Sequence, residues 1–219
     1  GRYTKTSKPR SQANTEPRRH ILGSTMTNQL NITNFDNFQD EGLAAVLGST
    51  VAPGSGFTGT GTKHYASVKQ EGEFVYTTFV VDLTGLTSDA AGDIIGADGG
   101  TANCHFGQVD TNVMGTPLYG YMECIEAPAT GEPDIDVYSA VEGTGAENAA
   151  ISSLDETALL EAAADWTINT KKHFSAVPAD EEYLYLVSSG GGDTATYTAG
   201  IFKIVLVGTT TLPTTIAEN

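Results

Sequence analysis

Both sets of alternating positions are largely apolar along residues 73–83, whose sequence is EFVYTTFVVDL. β-branched and aromatic residues are frequent in both sets, with Val75 and Phe79 on one face and Phe74 on the other. This composition is typical of a central β-strand with a layer packed over each face. Most other apolar segments are also short and are separated by clusters of Gly, Asp, Asn and Pro. The pattern predicts an all-β fold, an antiparallel β-sandwich or jelly-roll-like body.

Two β-hairpins are predicted on the same grounds. Residues 101–126 form the first, with a turn near Met114 between two apolar halves. Residues 183–187 and 197–207 form the second, joined by a Gly-rich connection. Long hairpins of this kind supply the facing sheets of a sandwich.

One short helix is predicted over residues 154–166, a stretch rich in Ala and Leu. Ser153 and Glu156 have the spacing of a capping box, in which each side chain accepts a hydrogen bond from a free backbone N–H at the start of a helix. Ala and Leu have high helix propensity. We expect this helix to cover one end of the sandwich.

Two cysteines, Cys104 and Cys124, are too few for a disulfide scaffold. If the first hairpin is symmetric about Met114, the two residues lie opposite each other on one face and form a possible thiol pair. The alternative is two separate buried thiols that pack as small apolar groups, and a reducing cytosol favours it. A zinc site from these cysteines with His105 and His173 is disfavoured, because adjacent strand residues point to opposite faces.

Charge is distributed very unevenly along the chain. Six of the 11 Lys and Arg residues lie in the first twenty positions, where Glu16 is the one acidic residue, so this stretch has a balance of +5. The remaining residues carry 5 basic and 26 acidic side chains, a balance of −21. Residues 1–24 are polar, contain two prolines and show no strand or helix periodicity, so we predict an extended basic N-terminal arm. Its cations are Arg2, Lys5, Lys8, Arg10, Arg18 and Arg19.

The predicted domain organisation follows from this asymmetry, with the arm at residues 1–24 and a β-sandwich body at residues 25–219 that ends in a short polar tail. An acidic body repels nucleic acid and anionic membranes, so neither is an expected partner. The alternative for residues 1–24 is a leader with no structural role. No apolar run reaches the roughly 20 residues of a membrane span, and the first residues lack the apolar core of a secretory signal. We therefore expect synthesis in a cytosol.

Three motifs suggest chemistry, and a simpler interpretation is favoured for each. Gly54, Gly56 and Gly59 have GxGxxG spacing, but a strand-like segment follows them where a dinucleotide site needs a helix, so a flexible loop is predicted. Asp89, Asp93 and Asp98 recur among glycines without the spacing of a calcium loop, which favours a solvated loop over a calcium site.

The third motif is the carboxylate pair Asp134 and Asp136. These residues alternate with Ile135 and Val137 and are predicted to share a solvent face of one strand, without the partner acid of a glycosidase. The four histidines, His20, His64, His105 and His173, lie in no nucleophile or metalloprotease motif. No catalytic residue, cofactor site or metal site is predicted.

Whole segments within residues 63–208 resemble small structural proteins of tailed phages that infect marine and cyanobacterial hosts. They are FVVDLTGL, AGDIIGADGGTANCHFGQV, MECIEAPATGEPDIDVYSA, LDETALLEAAADWT, PADEEYLYLVSS and YTAGIFKIVLVG. The proteins that they resemble are capsid decoration, or cement, proteins. The resemblance implies a β-sandwich or jelly-roll body without enzymatic activity, assembled as a homotrimer at local threefold positions on the outer surface of the virion and bound to the major capsid protein. It does not extend to the basic arm.

A second hypothesis is a head fibre or adhesin-like β-sandwich that binds host-surface glycan. Aromatic side chains on an exposed face would mark such a module, and Tyr119, Tyr121 and Tyr138 are the candidates. Strand tyrosines are more often packing residues, so this remains the alternative.

Overall fold

The structure is a computed structural model that describes Gly1 and residues 51–190 and 195–210. The described elements belong to one compact unit. The predicted arm, its six cations and the predicted boundary at residue 25 lie outside the described residues. Within the described ranges the chain forms eleven strands, a single-turn helix α1 (Thr111–Met114) and 3₁₀ turns at Ser55–Phe57 and Ile151–Ser153. The strands are β1 (Lys63–Glu71), β2 (Phe74–Asp82), β3 (Thr87–Ser88), β4 (Gly107–Gln108), β5 (Thr116–Ala129), β6 (Ile135–Ala140), β7 (Glu156–Leu160), β8 (Lys171–His173), β9 (Tyr183–Ser188), β10 (Ala195–Thr196) and β11 (Ala199–Thr209).

These strands form two main antiparallel sheets. The first has five strands in the order β1-β2-β11-β5-β8, and the second has four in the order β4-β9-β6-β7. A short ladder pairs β10 with β3. The predicted all-β antiparallel fold is confirmed. No helix in the described ranges is long and apolar enough to cross a membrane.

The predicted strand at residues 73–83 is β2, which pairs with β1 on one side and β11 on the other. Val75, Thr77, Phe79 and Val81 on one face are buried, whereas the alternate positions from Tyr76 to Asp82 are half-buried. The prediction that β2 is paired on both edges is confirmed. Full cover over both faces was expected, but one face is only half-buried.

The main core lies between the two sheets. Phe79, Met122 and Ile204 from the five-stranded sheet pack in the same cluster as Val137 and Leu186 from the four-stranded sheet. The strand with an apolar layer on each face is β9. Leu184 and Leu186 enter the main core, and Tyr185 and Val187 enter a second cluster with loop residues such as Ile94 and Ile151.

The predicted helix at residues 154–166 is wrong. Ser153 ends a 3₁₀ turn, and Glu156–Leu160 is strand β7, which pairs with β6. Ala163 has φ of +59°, a left-handed conformation that ends any helical path. Leu159 and Leu160 are both buried in the main core. Sheet pairing therefore overrides the helix propensity of this segment.

The two predicted hairpins are also wrong in their pairing. Residues 101–109 do not pair with β5, because Gly107–Gln108 pairs with β9 in the other sheet. The strands at 183–187 and 197–207 exist, as β9 and β11, but they lie in different sheets. In each case the two strands lie in opposite layers of the sandwich. Apolar content predicts these strands, but it does not predict which strands are neighbours.

The carboxylate pair at the start of β6, Asp134 and Asp136, does not share a solvent face. Ile135 and Val137 are buried as predicted, but Asp136 is 4% exposed and accepts a hydrogen bond from the backbone N–H of Ala162 at 2.6 Å. Asp134 Oδ1 is buried without a hydrogen-bond partner, and burial raises the pKa of Asp134. Asp136 thus has a structural role, because it accepts a hydrogen bond from a backbone N–H just after β7.

Candidate interaction surface

The outward side of the five-stranded sheet carries the most distinctive surface of the described body. Strand β11 is the middle strand, and its outward Val207 lies between Tyr76 of β2 and Tyr119 of β5. The next outward valine, Val205, has Tyr121 of β5 beside it. Tyr119 is 46% exposed, and the two valines between the strands are buried. We call this surface the tyrosine face.

A small charged network surrounds Tyr121. Lys171 Nζ lies 4.3 Å from the centroid of the Tyr121 ring, and Lys203 Nζ lies 5.9 Å from it. Glu123 Oε2 forms ion pairs with both ammonium groups, at 3.6 Å from Lys171 Nζ and 3.8 Å from Lys203 Nζ. The His173 ring lies 5.9 Å from that of Tyr121. The cation–π contacts and the shared carboxylate hold these side chains in place on the sheet surface.

The lysines of the body are confined to this sheet. The five in the described ranges, Lys63, Lys69, Lys171, Lys172 and Lys203, lie on β1, β8 and β11. The same strands, with β2 and β5, carry four carboxylates, Glu71, Asp82, Glu123 and Glu126. Elsewhere in residues 51–190 and 195–210 the charged side chains are all acidic. The sheet with the tyrosine face is therefore near neutral, and the rest of the described body is strongly negative.

Of the tyrosines proposed for a glycan platform, the structure brings two together. Tyr119 and Tyr121 lie two residues apart on the tyrosine face. Tyr138 lies on β6 in the other sheet, where it packs against the second cluster. Sequence patterns did not identify Tyr76, Lys171 and Lys203 as part of this surface. Alternation along β2 could have identified Tyr76, because it occupies the outward set of positions on that strand.

Cys104 and Cys124 are both buried and free, and they belong to different clusters. Cys124 is paired with Phe202 across the ladder of β5 and β11. The Cys104 thiol donates to the backbone oxygens of Thr101 at 2.9 Å and Gly56 at 3.3 Å. Because residues 101–109 do not pair with β5, the ladder does not bring the two thiols together. Burial raises the pKa of Cys104 to about 12 and also raises that of Cys124.

We expect neither thiol to react with Ellman's reagent in the native protein at pH 8, because the reactive thiolate is disfavoured and inaccessible. Reaction should be at least about 100-fold slower than in guanidinium, where two thiols per chain should react. Cys104→Ser and Cys124→Ser, measured separately, assign any native reaction to one site. Fast native modification, or one thiol or fewer after unfolding, would contradict this expectation.

Two half-buried histidines lie near each other at the edge of the main core. The His64 ring packs 6.0 Å from Phe79 and 6.4 Å from Phe57, between ring centroids. The His105 ring lies 4.7 Å from that of Tyr183. His64 Nε2 and His105 Nδ1 are buried without a hydrogen-bond partner. Burial lowers the pKa of each histidine to about 4, and the neighbouring His105 lowers that of His64 further.

The glycine-rich loop before β1 is tightly packed, so the predicted flexible loop is wrong. Gly54 and Gly56 donate to the backbone oxygens of His105 and Asn103 at 2.8 Å and 3.1 Å. A Cβ on Gly56 would lie 2.6 Å from Cys104 Sγ. The predicted strand that follows is present as β1. These glycines allow close contact between two backbones, a common reason for glycine at a packed site.

The acidic loop near Asp89, Asp93 and Asp98 is organised by a buried carboxylate. Glu147 is 5% exposed and accepts a hydrogen bond from the backbone N–H of Gly100 at 2.8 Å. Burial raises the pKa of Glu147, and the charges of Asp98 and Asp89 raise it further. No group of three or more His, Cys, Asp or Glu residues in the described ranges is placed to hold a metal ion.

The tyrosine face and the uneven charge are thus the features that bear on function in the part of the chain that the structure describes. Comparison of the chain with protein-family models, with curated proteins and with solved structures found no match.

Proposed function

We propose that this chain is a virion structural protein that binds the outer surface of a phage capsid and stabilises it by bridging neighbouring copies of the major capsid protein. The observation that carries the proposal is the separation of charge, with a balance of +5 in the first twenty residues and −21 in the remainder. A cationic segment steers toward acidic protein patches, and an extended segment gains affinity through backbone hydrogen bonds in a groove or at a sheet edge.

Capsid stabilisation follows from mass action. A protein that binds only the closed shell stabilises that shell by an amount that grows with its concentration and affinity. The compact, acidic β-sandwich is suited to the outside of such a shell, because its charge disfavours contact with packaged DNA. Assembly as a homotrimer is part of the proposal and rests on the family resemblance alone.

Replacing all six arm cations by glutamine in the full-length chain tests the role of the arm. We expect the variant to fold normally and to co-sediment with empty capsids at least about 10-fold more weakly, with binding that no longer depends on salt. A variant without residues 1–24 should behave in the same way.

The matched control is a chain in which Lys63 and Lys69 on β1 are changed to glutamine, which removes charge from the body alone. This control should bind like the wild-type chain. Capsid binding by the arm variants that is as tight and as salt-dependent as that of the wild type would rule out the arm as the docking element.

Glycan binding is the second candidate function, supported by the exposure of Tyr119 on the tyrosine face. The ring of Tyr121 is less suited to stacking against a sugar, since Lys171 already lies over it. Binding of the chain to a glycan array, lost in Tyr119→Ala, would favour this function over capsid stabilisation.

A further inference from the structure

We infer that the tyrosine face is a self-association surface, on which a second copy of this chain packs face to face about a twofold axis. This contact is separate from the capsid docking proposed above and requires no capsid. It also differs from the threefold arrangement that the family resemblance implies.

Charge selects the partner surface. In the described ranges the charged side chains outside the five-stranded sheet are all acidic, so contact between two copies through those surfaces brings like charges together. The strands of the five-stranded sheet carry four carboxylates and, apart from Lys172, whose ammonium group contacts Trp166 on the core side, four lysines. It is the one side of the described body on which a second copy meets little net repulsion.

The side chains on this face suit an interface. Tyr119 and Phe74, which lie on β5 and β2 on either side of the central strand, are each 46% exposed. Tyrosine is enriched in protein interfaces, because it buries a large area and loses few rotamers. The ammonium groups of Lys171 and Lys203 are already engaged by Glu123 and the ring of Tyr121, so less side-chain entropy is lost on docking.

The dimensions also agree. Five strands about 4.8 Å apart and about nine residues long give a face of roughly 20 Å by 30 Å, or about 600 Å². A standard interface buries roughly 600–1,000 Å² on each partner, so this face is at the lower end of that range. Because β11 is the middle strand, a twofold axis beside it would bring each tyrosine face against the other and leave both acidic sides in solvent.

Sedimentation velocity and light scattering of the full-length chain, without capsids, test the inference. We expect a concentration-dependent species of twice the chain mass of 22.9 kDa. Tyr119→Glu should raise the dimer dissociation constant at least about 10-fold, because it places a desolvated charge in the interface. Val141→Glu is the matched control. It adds the same charge at a residue that is 57% exposed just after β6, in the other sheet, and should leave the dimer unchanged.

A chain that stays monomeric up to about 100 µM would overturn the inference, as would a species of three times the chain mass that Tyr119→Glu does not affect. If Tyr119→Glu and Val141→Glu raised the dimer dissociation constant equally, the weakening would come from added negative charge in general. That result would also overturn the inference. Circular dichroism melts of both variants exclude a folding defect as the cause. Since no capsid is present, failure here leaves the capsid-binding test unaffected.

Discussion

Acidification from pH 6.5 to pH 4 is expected to destabilise the wild-type protein by about 3 kcal/mol more than a His64→Gln variant. Burial lowers the pKa of His64 to about 4 in the folded state, against 6.5 for an exposed histidine. Between these two values the unfolded chain binds a proton that the folded chain excludes. The free energy of unfolding therefore falls as pH decreases through this window, and the contribution of neutral His64 is fully present only above pH 6.5.

The structural cause is the environment of the ring. His64 lies among Phe57, Phe79 and the neighbouring His105, and its Nε2 is buried without a partner. Protonation would place an N–H at Nε2 with no acceptor and a positive charge among aromatic rings. His105 has the same problem at Nδ1. We expect His105→Gln to reduce the pH dependence as well, and the double variant to reduce it more than either single change.

Urea denaturation at half-unit steps from pH 4 to pH 7.5 measures this effect. The readout is the difference in free energy of unfolding between variant and wild type, followed as a slope against pH. A difference is needed because burial also raises the pKa values of Asp93, Asp134 and Glu147, and these carboxyl groups stabilise the fold on acidification in both proteins. His173→Gln, at an exposed position on β8, is the control for replacement of a surface imidazole. A His64→Gln curve parallel to that of the wild type would show that the ring is protonated, or exposed to water, in the folded state.

The individual strands of this fold could be predicted from the sequence, because alternation and β-branched content are local properties. Strands β1, β2, β9 and β11 all lie where the apolar pattern predicts them. The pairing of strands depends on contacts between distant residues. The sequence shows β9 and β11 as two apolar runs joined by glycines, which is the pattern of a hairpin, and only the packed sandwich separates them into two sheets.

The errors at β7 and β6 have the same origin. Residues 154–166 favour a helix by composition, yet Leu159 and Leu160 both reach the core through an edge strand paired with β6. Asp136 occupies a position that alternation assigns to solvent, but Ala162 N–H, which lies beyond the end of β7, needs an acceptor in the interior. Single-sequence patterns contain no information about which backbone groups will be buried far away in the chain.

The tyrosine face was only half predictable. Tyr119 and Tyr121 follow from alternation within one strand, whereas the cluster needs Tyr76 and Lys203 from strands that are 40 or more residues away in the sequence. The histidine pair was not predicted, because His64 and His105 are distant in sequence and neither lies in a motif. The confinement of lysines to one sheet became visible only when β1, β8 and β11 were placed in the same sheet.

Trp166→Ala is expected to lower the free energy of unfolding by about 4 kcal/mol. Trp166 is 2% exposed and joins the two sheets. Its ring meets that of Phe202 on β11 edge-on, with centroids 5.4 Å apart, and its Nε1–H donates to the backbone oxygen of Ile135 on β6 at 2.8 Å. Truncation leaves a cavity between the sheets and removes the donor from a buried carbonyl group.

The position of Lys172 increases the expected loss. Its ammonium group lies 4.8 Å from the Trp166 ring and donates to the backbone oxygens of Ala162 and Ala164, in the segment that leads to Trp166. Without the indole, this charge loses its aromatic contact at the edge of the core. Trp166→Phe keeps an aromatic ring against Phe202 but loses the hydrogen bond to Ile135, so its loss should be intermediate, about 1–3 kcal/mol.

Guanidinium denaturation followed by circular dichroism gives the three free energies, because the signal does not depend on the single tryptophan. Ile168→Ala is the matched control. It lies two residues away, is 60% exposed, and should change the stability by no more than about 0.5 kcal/mol. If Trp166→Ala and Ile168→Ala were equally stable, the indole would not join the sheets. We expect Trp166→Ala to be the least stable, Trp166→Phe to be intermediate and Ile168→Ala to be the most stable of the three. This order is expected if both sheets contribute to one cooperative core.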